Sequence, residues 1–354
     1  MAEPREILVR GPNWTGDVIM ATPGFRALRE GFPSARLVLH LRPGLEPLVA
    51  GAPWFDEILP VASYHRGPVA VLREARSLRR RRFDLGLCLP DSISSAILMR
   101  LAGVRRVVGY RRLGRGGLLG VGVPLPGTPS RGRPLLARER HVLGLVEAAG
   151  CRARGTHLEL FVTEAENDEA HRILGAAGVP VDAPLAVIAP GASYGPSKLW
   201  PAARFAQVGD ALAEKGDRIA VVGTAREGAL VERVVAGMRA SATGLAGRLS
   251  LGALKAVVRR ARVLVGNDAG ARHVAVAFGV PCVILMGPTS LEKTNLNLER
   301  VQVMSTEVPC RPCYLRECPI DHRCMTRIEP ERVIAAALSP RSLTPALRAD
   351  PSPA

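Results

Sequence analysis

The apolar positions of this chain fall into short runs, separated by longer stretches with helical spacing. Glu6–Val9, Arg36–Leu41 and Leu85–Leu89 are such runs in the first part of the sequence. Runs without alternation mark strands buried on both faces. The helical stretches between them, including Gly24–Glu30 and Val69–Arg82, predict a parallel sheet covered by helices. Thr22-Pro23 reads as the N-cap and first helical residue of the Gly24–Glu30 helix. A second series starts near residue 160. Thr163 and Glu166 form a capping box for a helix to about Ala177. Apolar runs then recur at Leu185–Ala189, Arg218–Val222, Val263–Val265 and Cys282–Leu285. A helix is expected over Pro201–Lys215 and a last one over Pro330–Leu338.

The pattern predicts an α/β protein of two doubly wound parallel-sheet domains, residues 1–160 and 161–338, followed by a Pro-, Ala- and Ser-rich tail, 339–354, expected to be disordered. Two such domains predict a cleft lined by the loops at the carboxyl ends of the strands. The stretch Arg111–Arg140, rich in Gly, Pro and Arg without a period, reads as a long, mobile, basic loop.

Charge changes this picture. The 354 residues carry a formal +16, and residues 1–155 hold 25 basic and 12 acidic side chains, a net +13. The remainder carries only +3. A field of that sign implies an anionic partner: nucleic acid, an acidic membrane surface or a phosphorylated substrate. Only 4% of residues are aromatic, which argues against a nucleic-acid surface built on stacking. The longest apolar stretch, Val274–Gly287, has 14 residues and contains Pro281, whereas a membrane span needs about 18–20. The first residues lack the apolar core of a signal peptide, and seven cysteines, an odd number, suit a reducing compartment. The expected location is the cytosol.

Four segments carry candidate chemistry, each at a strand end. Gly11-Pro-Asn-Trp-Thr-Gly16-Asp17 offers a carboxylate that is either a helix cap or a general base. Pro190–Lys198 offers backbone N–H groups and a lysine to a phosphate, or is a loop with a solvated lysine. With four Lys against 44 Arg in the chain, that lysine does not reflect general lysine use. Gly266-Asn-Asp268-Ala-Gly270-Ala-Arg-His273 opens a helix that either binds an anion or is simply capped, with His273 packed beneath it. Cys310, Cys313, Cys318 and Cys324 lie within 15 residues of one another, with His322 among them. Four thiolates could hold a structural zinc or a cluster, or they are plain structural thiols. The run Arg79–Arg82, with Arg73 and Arg76, is either a solvated helix end or a contact for an anionic surface.

With these residues in view, the chain resembles the ADP-heptose:lipopolysaccharide heptosyltransferases of glycosyltransferase family 9, the heptosyltransferase II branch in particular. The matching stretches are ILVRGPNWTGDVIMATPGFRALRE (7–30), APGASYGPSKLWP (189–201), VVGTAREGALVE (221–232) and VGNDAGARHVAVAFGVPCVILMGPT (265–289). The resemblance implies a GT-B fold, two Rossmann-like domains facing across a cleft. It implies an acceptor-binding N-terminal domain and an ADP-sugar-binding C-terminal domain. Asp17 falls on the family's proposed base and Lys198 on its phosphate-binding lysine. Ser193, Glu227, Asp268, Ala269, Gly270 and His273 fall on the nucleotide-sugar site. Acceptor contacts are expected at Asn13, Trp14, Arg79 and Arg80. Ala269 stands where the family usually has Ser or Thr, so one hydroxyl donor is missing.

The expected reaction is inverting transfer of heptose from ADP-heptose to an anionic Kdo-lipid A inner-core acceptor. The enzyme would work at the cytoplasmic face of the inner membrane as a peripheral protein. No cofactor is expected in catalysis, since no Asp-x-Asp pair exists to hold a metal ion on a diphosphate. The rival readings are another family 9 transferase with a different sugar or acceptor, and a basic nucleic-acid-binding protein.

Overall fold

The structure is a computed structural model that describes residues 3–62, 67–125 and 136–339. The chain divides into two compact units, Met1–Phe161 with Glu292–Leu296, and Val162–Leu291 with Asn297–Ala354.

In the first unit the order is β1 (Glu6–Arg10), α1 (Thr15–Ile19), α2 (Thr22–Gly31), β2 (Arg36–Leu41), β3 (Glu57–Pro60), α3 (Gly67–Arg79), β4 (Leu85–Cys88), α4 (Ile93–Leu101), β5 (Arg106–Tyr110), β6 (Val121–Val123) and α5 (Arg138–Ala148). The strands form one sheet in the order β3-β2-β1-β4-β5-β6, with every pairing parallel. Leu8 and Val38 from the sheet, Ala75 and Leu78 from α3, and Leu98 and Met99 from α4 close a core on one face. Each fully buried Leu, Val or Met among them stabilises the fold by roughly 1.5–3 kcal/mol.

The second unit repeats the plan: α6 (Glu164–Ala176), β7 (Leu185–Ala189), α7 (Ala202–Ala213), β8 (Arg218–Val221), α8 (Gly228–Ala236), β9 (Ala242–Gly244), α9 (Leu251–Arg260), β10 (Val263–Asn267), α10 (Gly270–Ala277), β11 (Cys282–Leu285), β12 (Val301–Met304), α11 (Arg323–Thr326) and α12 (Pro330–Leu338). Its sheet runs β12-β11-β10-β7-β8-β9, again all parallel. The capping box at Thr163 and Glu166 is formed. Trp200 anchors the core by donating from Nε1 to the Ile328 carbonyl at 3.0 Å.

In both sheets the chain reverses its winding direction between two neighbouring strands. These are β1 and β4 in the first, β7 and β10 in the second. The crevice outside the carboxyl ends of such a pair is where open α/β sheets bind ligands.

Two expectations need correction. Thr22 is not an N-cap: it is already helical, and its hydroxyl donates to the Ile19 carbonyl (2.8 Å) and accepts from the Glu159 N–H (3.1 Å). The stretch Arg111–Arg140 is not one mobile loop. It holds a 3₁₀ turn over Arg115–Leu118, strand β6 and the first turn of α5, and only 126–135 within it lie outside the described residues. Arg115 is fully buried there, which a solvated loop would not allow. The apolar stretch Val274–Gly287 is the body of α10, a turn at Gly279 with φ +64°, and β11. Among the described residues no helix is long and apolar enough to cross a membrane. The tail expected to be disordered lies, from residue 340 onward, outside the described residues.

Candidate active site

The loop after β1 brings together Asn13, Trp14 and Asp17. Asn13 accepts from Arg10 Nη2 at 2.6 Å and from Arg42 Nη1 through its carbonyl at 3.0 Å. Trp14 is half exposed, with the Arg42 guanidinium 5.9 Å from its ring centroid. Asp17 sits in the first turn of α1 and makes no capping bond. Its Oδ1 lies 3.3 Å from Nε of Arg138, the first residue of α5. That nitrogen has no aligned hydrogen-bond partner, so the contact is an ion pair without hydrogen-bond geometry.

The neighbouring strand β4 ends in Pro90-Asp91, which the sequence reading passed over. Asp91 faces Arg112 (2.9 Å), Arg115 (3.3 Å) and His141 (3.5 Å). Burial alone would raise its carboxyl, but His141, Arg112 and Arg138 outweigh it and hold the pKa at about 2. Arg115 spends its guanidinium on the carbonyls of Tyr110 (2.9 Å), Pro90 (2.5 Å) and Ser92 (3.1 Å). The signal was available: an acid two residues after an apolar run.

Arg79 and Arg80 are not part of this edge. α3 runs from the carboxyl side of the sheet back to the amino end of β4, so its last residues lie at the amino edge. Arg79 sits beside Gly103, just ahead of β5, and Arg81 pairs with Glu57, the first residue of β3. The expected acceptor contacts therefore divide: Asn13 and Trp14 stand with Asp17, and the two arginines stand at the opposite edge.

In the second unit the loops after β7 and β10 converge. Lys198 Nζ donates to Oδ2 of Asp268 at 2.7 Å and to its carbonyl at 2.8 Å. Arg272 meets Oδ1 at 3.0 Å, and the Thr289 hydroxyl meets Oδ2 at 3.2 Å. Burial pushes the Asp268 carboxyl up, but Lys198 and Arg272 prevail and hold it well below the usual carboxylate range. The lysine ammonium lies 5.2 Å from the Tyr194 ring centroid. Asn267, unremarked in the sequence, ties the two loops together: its Nδ2 donates to the Pro190 carbonyl (2.6 Å) and its Oδ1 accepts from the Trp200 N–H (3.3 Å).

Ala269 is the N-cap residue of α10 and supplies no side-chain cap, so Gly270 starts the helix with its first N–H groups uncapped by that position. His273 is buried one turn on. Burial, and then Arg272, lower its pKa to about 3, so it is a neutral imidazole at pH 7. Glu227 closes a capping box with Thr224, and Gly191 leaves room for it: a Cβ there would collide with the Glu227 carboxylate. Ser193 is exposed at the turn before Tyr194.

The four clustered cysteines are unbridged. Cys310 and Cys318 are exposed, Cys313 half-buried and Cys324 buried. With His322, Ser197 and Pro288 they line a cavity of about 20 Å³. Lining it is not ligation: among the described residues no group of three or more His, Cys, Asp or Glu is disposed to hold a metal ion. Among the described residues the four thiols are therefore not gathered as ligands of one metal ion. What the segment does is strap the Lys198 loop. The Tyr194 hydroxyl donates to the Tyr314 carbonyl (2.5 Å), the Ser197 hydroxyl to Leu315 (2.6 Å) and the Ser197 N–H to Arg316 (3.0 Å). His322 Nε2 lies 2.6 Å from the Ser197 carbonyl.

Comparison with known proteins bears on the family and the fold. Residues 71–323 match the family described as glycosyltransferase family 9 (heptosyltransferase). Lipopolysaccharide heptosyltransferase 2 of Salmonella typhimurium is 28% identical over 298 residues, 82% of this chain and 84% of that protein. The Escherichia coli K12 protein of the same name is 26% identical over the same shares. Among solved structures, E. coli ADP-heptose lps heptosyltransferase II superposes with a TM-score of 0.77 at 24% identity, covering 94% of this chain and 98% of that one. A family 9 glycosyltransferase from Veillonella parvula gives 0.81 at 22% identity, covering 95% and 96%. These likenesses carry the fold, two six-stranded parallel sheets of the GT-B class. The chain is a glycosyltransferase and belongs to family 9, the heptosyltransferase family.

Proposed function

We propose that the protein transfers heptose from ADP-heptose to a phosphorylated inner-core lipopolysaccharide acceptor, as a heptosyltransferase II-like inverting enzyme. The observation that carries this reading is the Lys198–Asp268 pair at the uncapped start of α10, within a chain whose relatives are named heptosyltransferase 2. A fixed ammonium beside helical N–H groups is chemistry for a diphosphate. Lys198 has three N–H donors, and Asp268 engages two of them. The third is available to a β-phosphate oxygen.

Asp17 takes the proton from the acceptor hydroxyl as that oxygen forms its bond to the anomeric carbon. The bond from the anomeric carbon to the β-phosphate oxygen breaks on the opposite face, and ADP departs with the electron pair. Lys198 and the first N–H groups of α10 stabilise the charge that develops on the departing oxygen. Asp268 orients the lysine, and Glu227 serves the nucleoside end. No step passes through a metal ion, because these cationic and N–H groups meet the diphosphate charge.

The first unit serves the acceptor. The +13 of residues 1–155, against +3 for the rest of the chain, suits an anionic saccharide with phosphates and acidic sugars. The enzyme works as a peripheral protein at the cytoplasmic face of the inner membrane. The test is initial rate with ADP-heptose against a panel of truncated core acceptors, with and without EDTA. Turnover that requires the phosphorylated inner core and survives chelation is expected. Turnover only with another sugar nucleotide or acceptor, or loss of rate restored by Mg²⁺, overturns the reading.

A further inference from the structure

Helix α4 breaks the usual rule for a surface helix. Ala96, Leu98 and Met99 pack into the core, yet Ile93, Ile97 and Leu101, spaced four residues apart, are 44%, 36% and 40% exposed. Helix α3 packs beside it and adds Val69 and Leu72, 66% and 49% exposed. A helix at a protein surface ordinarily turns a polar face outward, and one that is apolar all round is ordinarily covered. Clustered exposed apolar side chains mark an interaction site.

Arginines flank this stripe. Arg73, Arg76, Arg79 and Arg80 on or just after α3, and Arg100 on α4, are exposed. The one acid of the two helices, Glu74, is buried, with its Oε1 2.9 Å from His40 Nε2. The outward face therefore carries apolar and positive groups and no negative one.

We infer that the α3/α4 face docks on an anionic lipid bilayer. Ile93, Ile97, Leu101, Val69 and Leu72 enter the headgroup boundary, and the arginines meet lipid phosphates. Two copies of this chain joined through the face would set arginine against arginine, which disfavours a dimer. A nucleic acid would leave the aliphatic stripe unsatisfied, and the stripe carries no aromatic ring for base stacking. Both helices start at the carboxyl edge that holds Asp17 and end at the amino edge, so the face reaches from one edge to the other. This also gives a role to Arg79 and Arg80, which the fold removes from the acceptor loops.

The inference deepens the membrane part of the proposed function, so its test uses vesicles that contain no acceptor. The full chain is floated with phosphatidylcholine vesicles, with and without phosphatidylglycerol. Flotation with the anionic vesicles alone is expected. Ile97→Glu with Leu101→Glu, and separately Arg73→Glu with Arg76→Glu, should each weaken the partition about tenfold or more. Transfer to a soluble truncated acceptor should stay at the parent rate in both. A single Leu101→Trp variant, which keeps the face apolar, should gain fluorescence quenched by brominated lipid only in anionic vesicles. Equal partition of parent and variants overturns the inference, as does an unquenched tryptophan. Parent self-association abolished by Ile97→Glu assigns the face to a second copy and equally overturns it. Loss of transfer to the soluble acceptor by the parent enzyme itself would strike the proposed reaction and leave the docking result standing.

Discussion

The two units share one topology and differ in what they place at the point where the winding reverses. In the first, β1 and β4 deliver two carboxylates, Asp17 and Asp91, each facing arginine. In the second, β7 and β10 deliver one carboxylate, Asp268, between a lysine and an arginine. The difference is chemical. The first crevice presents a partly exposed acid with a single misaligned ion pair, fit to exchange a proton. The second presents a buried acid locked by three partners, fit to hold a cation in place. The same backbone plan thus places a partly exposed acid in one unit and a buried, fully paired acid in the other.

The largest effect that would sharpen this contrast is at Asp17. Asp17→Asn keeps the shape and removes the proton acceptor, and turnover should fall by ~10²–10⁴. Initial rates at saturating substrates check it, and a variant within a few-fold of the parent removes the base from the first unit. Next is the buried frame behind that crevice. Arg115→Leu leaves the carbonyls of Tyr110, Pro90 and Ser92 without their donor. A loss of about 3–5 kcal/mol is expected, read as a lower urea midpoint, whereas an unchanged midpoint would mean Arg115 is dispensable.

Lys198→Ala should lower kcat/KM by about 10–150-fold, the worth of one charge-assisted hydrogen bond of 1.5–3 kcal/mol. Steady-state kinetics with varied ADP-heptose test this, and parent values of both constants would break the phosphate role.

The smallest effect concerns pH. His273 titrates at about 3 when folded, against 6.5 as its ordinary value. Between those limits the unfolded chain binds the extra proton, so stability falls as pH drops and is level above 6.5. The slope is up to ~1.4 kcal/mol per pH unit for one group. His141 is lowered by burial too and adds in the same direction. His273→Gln should remove about one proton's worth of that slope in melting curves from pH 7 to 4.5. An unaltered slope would mean His273 is not held neutral.

How much of this was legible depended on whether the signal was local. Leu185–Ala189, Arg36–Leu41 and Cys282–Leu285 were read to the residue because short, mostly apolar runs of strand length are self-contained. The strand Ala242-Thr-Gly244 was missed, having neither length nor bulk. Arg115 was read as part of a basic loop because its partners lie 5 to 25 residues away and share no pattern with it. Arg79 and Arg80 carried the right charge, but charge has no direction in a sequence. Only the return of α3 to the amino edge separates them from Asp17. The cysteines were conspicuous by spacing, while their use as a strap rests on backbone carbonyls that spacing does not reveal. Asp17 and Lys198 were singled out because each lies in a loop that follows a strand, where open α/β sheets bind ligands.

The division of labour between the two crevices is tested most directly by calorimetric titration of ADP into three proteins: the parent, Asp17→Asn and Lys198→Ala. The account predicts the same ADP affinity for the parent and Asp17→Asn, and an affinity weaker by about 10-fold or more for Lys198→Ala. Equal weakening by both substitutions, or none by Lys198→Ala, would contradict it.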